Sequence, residues 1–163
     1  MIAYIAMGAN LGDRQATMLR AIDLLRTTDQ VEVVSISTFI ENPAVGGPPD
    51  SPAFLNGVVK VETSLSPEAL LDRLLDIEHQ LGRVRREKWE PRAIDLDVIL
   101  YGDQVVNTDR LTIPHPLMHE RRFVLEPLVE IAPDVTHPLL KNNAAQLLEQ
   151  LRHRSAVSQI KPS

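Results

Sequence analysis

At 163 residues, with 44% apolar and 24% charged residues, the chain has the size and composition of one globular domain able to bury a core. A net charge of -5 argues against nucleic acid or an anionic membrane surface as the main partner, and the lack of cysteine excludes a disulfide framework and a thiolate metal site. No stretch approaches the ~20 apolar residues of a membrane span, and the first residues lack the basic start of a signal peptide. The expectation is a cytoplasmic protein with no membrane, nucleic-acid or obligate protein partner.

Ile2 to Ala9 is an apolar run that reads as a buried strand, and Gly8-Ala9-Asn10-Leu11-Gly12 reads as the tight turn after it. Asp13 opens a helical stretch in which Met18, Ile22 and Leu25 recur at helical spacing. Val31 to Ile40 alternates and predicts a strand. Residues 42–52 hold four prolines and two adjacent glycines, which predicts a long loop of the kind that binds a ligand or acts as a lid. Phe54 to Thr63 returns to strand character. Ser66-Pro67-Glu68 has the capping hydroxyl, first-turn proline and acid of a helix start, and Leu70, Leu74, Ile77 and Leu81 line one face before Gly82.

A charged loop, Arg83 to Arg92, leads into Ala93 to Tyr101, the strongest strand pattern in the chain. Val105-Val106, a proline-rich turn and two further helices follow. The order β-α-β-β-α-β predicts an α+β, ferredoxin-like antiparallel sheet with helices packed on it, plus C-terminal helices, as a single domain over residues 1–163. The order of the tail after about residue 154 stays open.

Alternation along the strand puts Asp95 and Asp97 on one face with Ile99 and Tyr101, and Ile94, Leu96, Val98 and Leu100 on the other. With both faces covered, this reads as a central strand. Two carboxylates about 7 Å apart in such a place repel each other, and a divalent cation reverses that effect. Oxygen-only ligands favour magnesium over zinc. An arbitrary Asp-x-Asp is more often a solvated strand end, but here the preceding loop carries five cations against two acids. A polyphosphate with Mg²⁺ fits between arginine forks and carboxylates. Arg110, His115, Arg121 and Arg122 add cations beyond the strand, with His115 held between two prolines. The chain has no Gly-x-x-x-x-Gly-Lys-[Ser/Thr] loop and no kinase signature set.

Trp89-x-Pro91-Arg92-x-x-Asp95-Leu96-Asp97, joined to Gly82-Arg83-Val84-Arg85, Pro114-His115 and the early Gly8-to-Gly12 segment, resembles the 6-hydroxymethyl-7,8-dihydropterin pyrophosphokinase family. The likeness spans nearly the whole chain, to about Pro127. It implies transfer of the terminal diphosphate of ATP to the hydroxymethyl group of a reduced pterin in folate biosynthesis, with release of AMP. By that resemblance Asp95 and Asp97 hold two Mg²⁺ ions. Arg83, Arg85, Arg92, His115 and Arg121 handle the triphosphate, Arg83 and Arg92 with a catalytic share. Trp89 closes over the substrates, and Val98, Arg110 and Thr112 meet the adenosine part. The pterin is expected between Phe54 and Phe123, with Asn56 on its polar edge and the chain at Asn42, Pro43 and Val45 beside it. The sequence departs from the family pattern at Glu90, Pro116 and Arg122, and in Phe54 where a tyrosine is usual.

Two other classes compete. A non-catalytic anion- or nucleotide-binding domain of ferredoxin-like fold would use the basic loop without releasing AMP. A metal-dependent nucleotidyl transferase would use the same carboxylates and release pyrophosphate.

Overall fold

The computed structural model describes residues 1–42, 53–82 and 93–160, without the side chains beyond 154. Strand β1 (Ile2–Ala9) is followed by helix α1 (Arg14–Arg26), β2 (Val31–Ile36), a three-residue β3 (Ile40–Asn42) and the long β4 (Phe54–Thr63). Helix α2 (Pro67–Gly82), β5 (Asp95–Tyr101) and the small ribbon β6 (Val106–Asn107) and β7 (Thr112–Ile113) come next. A 3-10 turn (Met118–Glu120), α3 (Arg122–Ile131) and α4 (Ala144–Ile160) complete the chain. The expected caps are in place: the Asp13 carboxylate accepts from the amide of Ala16 at 3.1 Å, and the Ser66 hydroxyl from that of Ala69 at 3.2 Å.

The main sheet runs β2-β4-β1-β5 with every pairing antiparallel, and β3 pairs with β4. This is the order produced by two interleaved βαβ halves, and the fold is α+β. Each strand sends alternate residues to opposite faces. Ala3, Ile5 and Met7 of β1, Val59 and Val61 of β4, and Leu96 and Val98 of β5 meet Met18, Ile22 and Leu25 of α1 and Leu70, Leu74 and Ile77 of α2. On the other face Tyr4, Val58, Ile99 and Leu100 meet Val124, Leu125 and Leu128 of α3 and Leu147 and Leu148 of α4. The C-terminal helices therefore form a third layer. Among the described residues no helix is long and apolar enough to cross a membrane.

Three details differ from the sequence pattern. The strand expected from Val31 to Ile40 is interrupted at Ser37-Thr38-Phe39. There the buried Ser37 hydroxyl accepts from the amide of Val58 at 2.9 Å, while the Ser37 amide donates to the Val58 carbonyl at 3.0 Å. A side chain thus completes the ladder that the backbone leaves. The Thr38 amide and hydroxyl both turn to the Glu130 carboxylate of α3, at 2.8–2.9 Å.

Strand β5 is at the end of the sheet order rather than central. Its outer edge is met by other groups: the amide of Leu96 donates to Glu78 of α2 at 2.7 Å, and the carbonyl of Ile99 accepts from the amide of His115 at 3.0 Å. These contacts and the two helical layers mimic the apolar signature of an interior strand.

The alternation along β5 is also reset. Tyr4 pairs with Leu100 but Ile5 pairs with Val98, so Ile99 is an extra residue. Ile99 and Leu100 both join the C-terminal helical cluster, and Tyr101 crosses to the α1/α2 side, where its hydroxyl donates to the Leu65 carbonyl. Tyr101 therefore does not share the face of Asp95 and Asp97, and Leu100 does not share that of Leu96 and Val98.

Candidate active site

Between the sheet and the start of α3 lies a cavity of about 370 Å³, lined among others by Asn42, Phe54, Asn56, Asp95, Asp97, Arg121 and Phe123. These residues come from the ends of β3 and β4, the start of β5 and the N-terminus of α3. The register explains how they meet. Asn42 pairs with Phe54, Asn56 with Gly8, Gly8 with Asp95, and Ala6 with Asp97. The residues beside the two carboxylates are thus Ala6 and Gly8, whose small side chains leave room above the sheet.

Asn56 is 7% exposed, and its Nδ2 donates to the carbonyl of Met7 at 3.4 Å. Its Oδ1 is buried with no hydrogen-bond partner among the described residues. A buried acceptor without a partner costs roughly 1–3 kcal/mol, so a bound donor on a ligand recovers that free energy. Phe54 and Phe123 supply aromatic surface in the same cavity. The Arg121 guanidinium is 5.7 Å from the Phe123 ring centroid, within cation–π range, and so links the aromatic part of the cavity to its charged part.

Of the two carboxylates, Asp95 is partly buried and Asp97 exposed. His115 is close enough to feel both Asp97 and Arg121. Burial pushes its pKa below the ordinary value; Asp97 opposes that shift and Arg121 adds to it. Its Nδ1 accepts from the amide of Leu117 at 3.2 Å, which leaves Nε2 as the N–H donor of the neutral ring. The donor set of Asp95 and Asp97 is all oxygen. Among the described residues no three His, Cys, Asp or Glu side chains form a group that could hold an ion. Two carboxylates alone suit Mg²⁺, which keeps water and phosphate oxygens in its other positions.

Other expected residues lie elsewhere. Val98 is 3% exposed in the α1/α2 core, so it can meet a ligand only through its backbone. Thr112 is exposed on β7 and does not line this cavity. Arg110 does not line it either; its guanidinium donates to Asp72 of α2 at 2.5 Å and is 3.5 Å from Glu68. Arg83, Arg85, Trp89, Arg92, Pro43 and Val45 fall outside the described residues. The roles of Gly8 and Ala6 as space-makers were not anticipated. A glycine inside a strand is the available signal, since it marks close approach of another group.

The chain matches the family model described as 7,8-dihydro-6-hydroxymethylpterin-pyrophosphokinase over residues 4–133. It is 43% identical over 136 residues to the 2-amino-4-hydroxy-6-hydroxymethyldihydropteridine pyrophosphokinase of Haemophilus influenzae, covering 83% of this chain and 84% of that one. The protein of the same name from Bacillus subtilis is 44% identical over 134 residues, covering 82% and 80%. Among solved structures, a Plasmodium falciparum HPPK-DHPS superposes with a TM-score of 0.74 at 16% identity. That match covers 98% of this chain but 44% of the longer one, and it supports the fold alone. With the family model covering most of its length and relatives above 40% identity, the chain belongs to the 7,8-dihydro-6-hydroxymethylpterin-pyrophosphokinase family.

Proposed function

We propose that the protein transfers the terminal diphosphate of ATP to the hydroxymethyl group of 6-hydroxymethyl-7,8-dihydropterin, releasing AMP, in the cytoplasm. The observation that carries this reading is one cavity that brings together two chemically distinct sets of groups. Phe54, Phe123 and Asn56, whose Oδ1 has no partner among the described residues, form one set, and Asp95, Asp97 and Arg121 the other. A flat heterocycle with ring N–H groups suits the first set, by stacking and by donating to Asn56. A polyphosphate suits the second.

In this reading Asp95 and Asp97 would hold two Mg²⁺ ions, which when bound neutralise phosphate charge and orient the oxygens for in-line attack. Arg121 binds phosphate oxygens, and the neutral His115 offers its Nε2–H to the same group. The acceptor hydroxyl must reach the β-phosphorus opposite the departing AMP oxygen, so the aromatic pair and Asn56 act by orientation. Phosphoryl-type transfer draws its rate mainly from such positioning and from charge stabilisation, and no side-chain base is required.

Incubation with ATP, Mg²⁺ and the reduced pterin, with nucleotides resolved by anion exchange, tests the reading. AMP formed only when the pterin is present supports it. ATP binding without pterin-dependent AMP would instead favour an anion-binding domain of the same fold.

A further inference from the structure

We propose that Arg14 is a positioning residue for the heterocycle-binding set in the cavity. Its guanidinium fixes the ends of β3 and β4 relative to each other, and with them Asn42 and Phe54. This rests on the reading above of that set as the pterin subsite.

Arg14 is the first residue of α1, next to the cap residue Asp13. One terminal nitrogen donates to the carbonyl of Ala53 and the other to the carboxylate of Glu41, each at 2.6 Å. These two contacts are one residue away from the cavity residues on either strand. Glu41 precedes Asn42, and Ala53 precedes Phe54. Asn42 and Phe54 are themselves the last paired residues of the β3–β4 ladder.

Strand β3 has only three residues and pairs with β4 alone, so few ladder bonds hold it. A guanidinium is a planar fork that loses little freedom when it binds two groups at once. Here one arm takes a backbone carbonyl of the β4 side and the other a carboxylate of the β3 side, so the fork ties the two strand ends to each other and to α1. Side chains alternate along both strands. Leu55 packs toward the α1/α2 core, while Asn42, Phe54 and Asn56 line the cavity. The fork therefore fastens the strands from α1 while the ligand-facing side chains point toward α3.

The Glu41 side chain is 65% accessible and that of Arg14 26%, so the ion pair is solvent-screened on the carboxylate side and its contribution to global stability is modest. Its effect belongs in the placement of Asn42 and Phe54. Loss of the fork is accordingly expected in pterin affinity rather than in folding or in ATP affinity.

The experiment compares wild type, Arg14→Ala and Arg14→Lys in steady-state kinetics, thermal unfolding and amide hydrogen exchange. Arg14→Ala is expected to raise the pterin KM about tenfold, with the ATP KM, kcat and Tm close to wild type. Arg14→Lys, whose single ammonium cannot span both partners with fixed geometry, should fall between them. The amides of β3 and of the first residues of β4 should exchange faster in Arg14→Ala. An unchanged pterin KM with unchanged exchange overturns the proposal, as does a parallel rise of both KM values with a fall in Tm. Should wild type form no pterin-dependent AMP, the functional reading fails, and the exchange comparison still decides whether the fork holds the two strands.

Discussion

A Cβ atom added to Gly8 would sit 2.8 Å from Nδ2 of Asn56 and 3.8 Å from the Phe54 ring, so Gly8 and Asn56 share one small volume in adjacent strands. The glycine is needed for that close approach. A methyl group there pushes the Asn56 amide away from the Met7 carbonyl and moves Oδ1 out of its place in the cavity. Gly8→Ala is expected to weaken pterin binding by about 1–3 kcal/mol, the range for a misplaced buried hydrogen-bonding group. Titration of the variant with the pterin measures this, and affinity within twofold of wild type would count against Asn56 as its partner.

Asp97 is exposed, so removing its carboxylate breaks no core contact. Asp97→Ala is expected to keep wild-type Tm while losing roughly a thousandfold or more in kcat, the several kcal/mol that metal-held charge supplies to such a reaction. Turnover near wild type at saturating Mg²⁺ would remove Asp97 from the metal site.

Ser37 is 4% exposed, and its hydroxyl is the acceptor for the Val58 amide. Ser37→Ala strands that amide in the interior and should cost about 1–3 kcal/mol in denaturant unfolding. Ser37→Thr keeps the acceptor and should recover part of the loss, unless the added methyl meets the packed Phe39 and Gly57. Equal stability of wild type and Ser37→Ala would show that the interruption needs no side-chain acceptor.

His137 is 5% exposed, and its Nδ1 accepts from the amides of Leu139 and Leu140 at 3.2 and 3.1 Å. Burial lowers its pKa from the ordinary 6.5, and His119 lowers it further. The folded state thus binds this proton less readily than the unfolded chain. Stability from the neutral ring is fully present above about pH 6.5 and declines as pH falls from there toward the lower folded-state value. Tm measured from pH 7.5 to 5 should fall more steeply for wild type than for His137→Gln. A steeper fall in the variant would reverse the assigned sign. His115 shifts in the same direction and contributes to both curves.

Most of the architecture was readable because single residues carried it. Asp13 and Ser66 announce helix starts, and the strand character read for Phe54 to Thr63 covers the residues that β4 occupies. What escaped depends on partners distant in sequence. The interruption at Ser37 is stabilised by Val58 and Glu130, and neither is visible from the local alternation. The edge position of β5 is hidden because Glu78 and His115 supply what a neighbouring strand would. The extra residue at Ile99 leaves an unbroken apolar run, Val98-Ile99-Leu100-Tyr101, in which a change of face has no signature. In the site, the carboxylate pair was legible by type and spacing, whereas Phe54 and Phe123 entered only through the family resemblance. The space made by Gly8 and Ala6, and the fork of Arg14, depend on strand register, which the chain reveals only when folded.

The assignment of one face of each strand to α1 and α2 and the other to α3 and the cavity divides the sequence between two kinds of selection. Leu55 and Asn56 are neighbours in the chain, yet the first packs toward the core behind the sheet and the second toward the ligand. Met7 and Gly8 divide in the same manner, as do Leu96 and Asp97. Heat tolerance can therefore be improved by repacking the positions behind the sheet while substrate choice is altered at the alternate positions before it, with little interference between the two efforts.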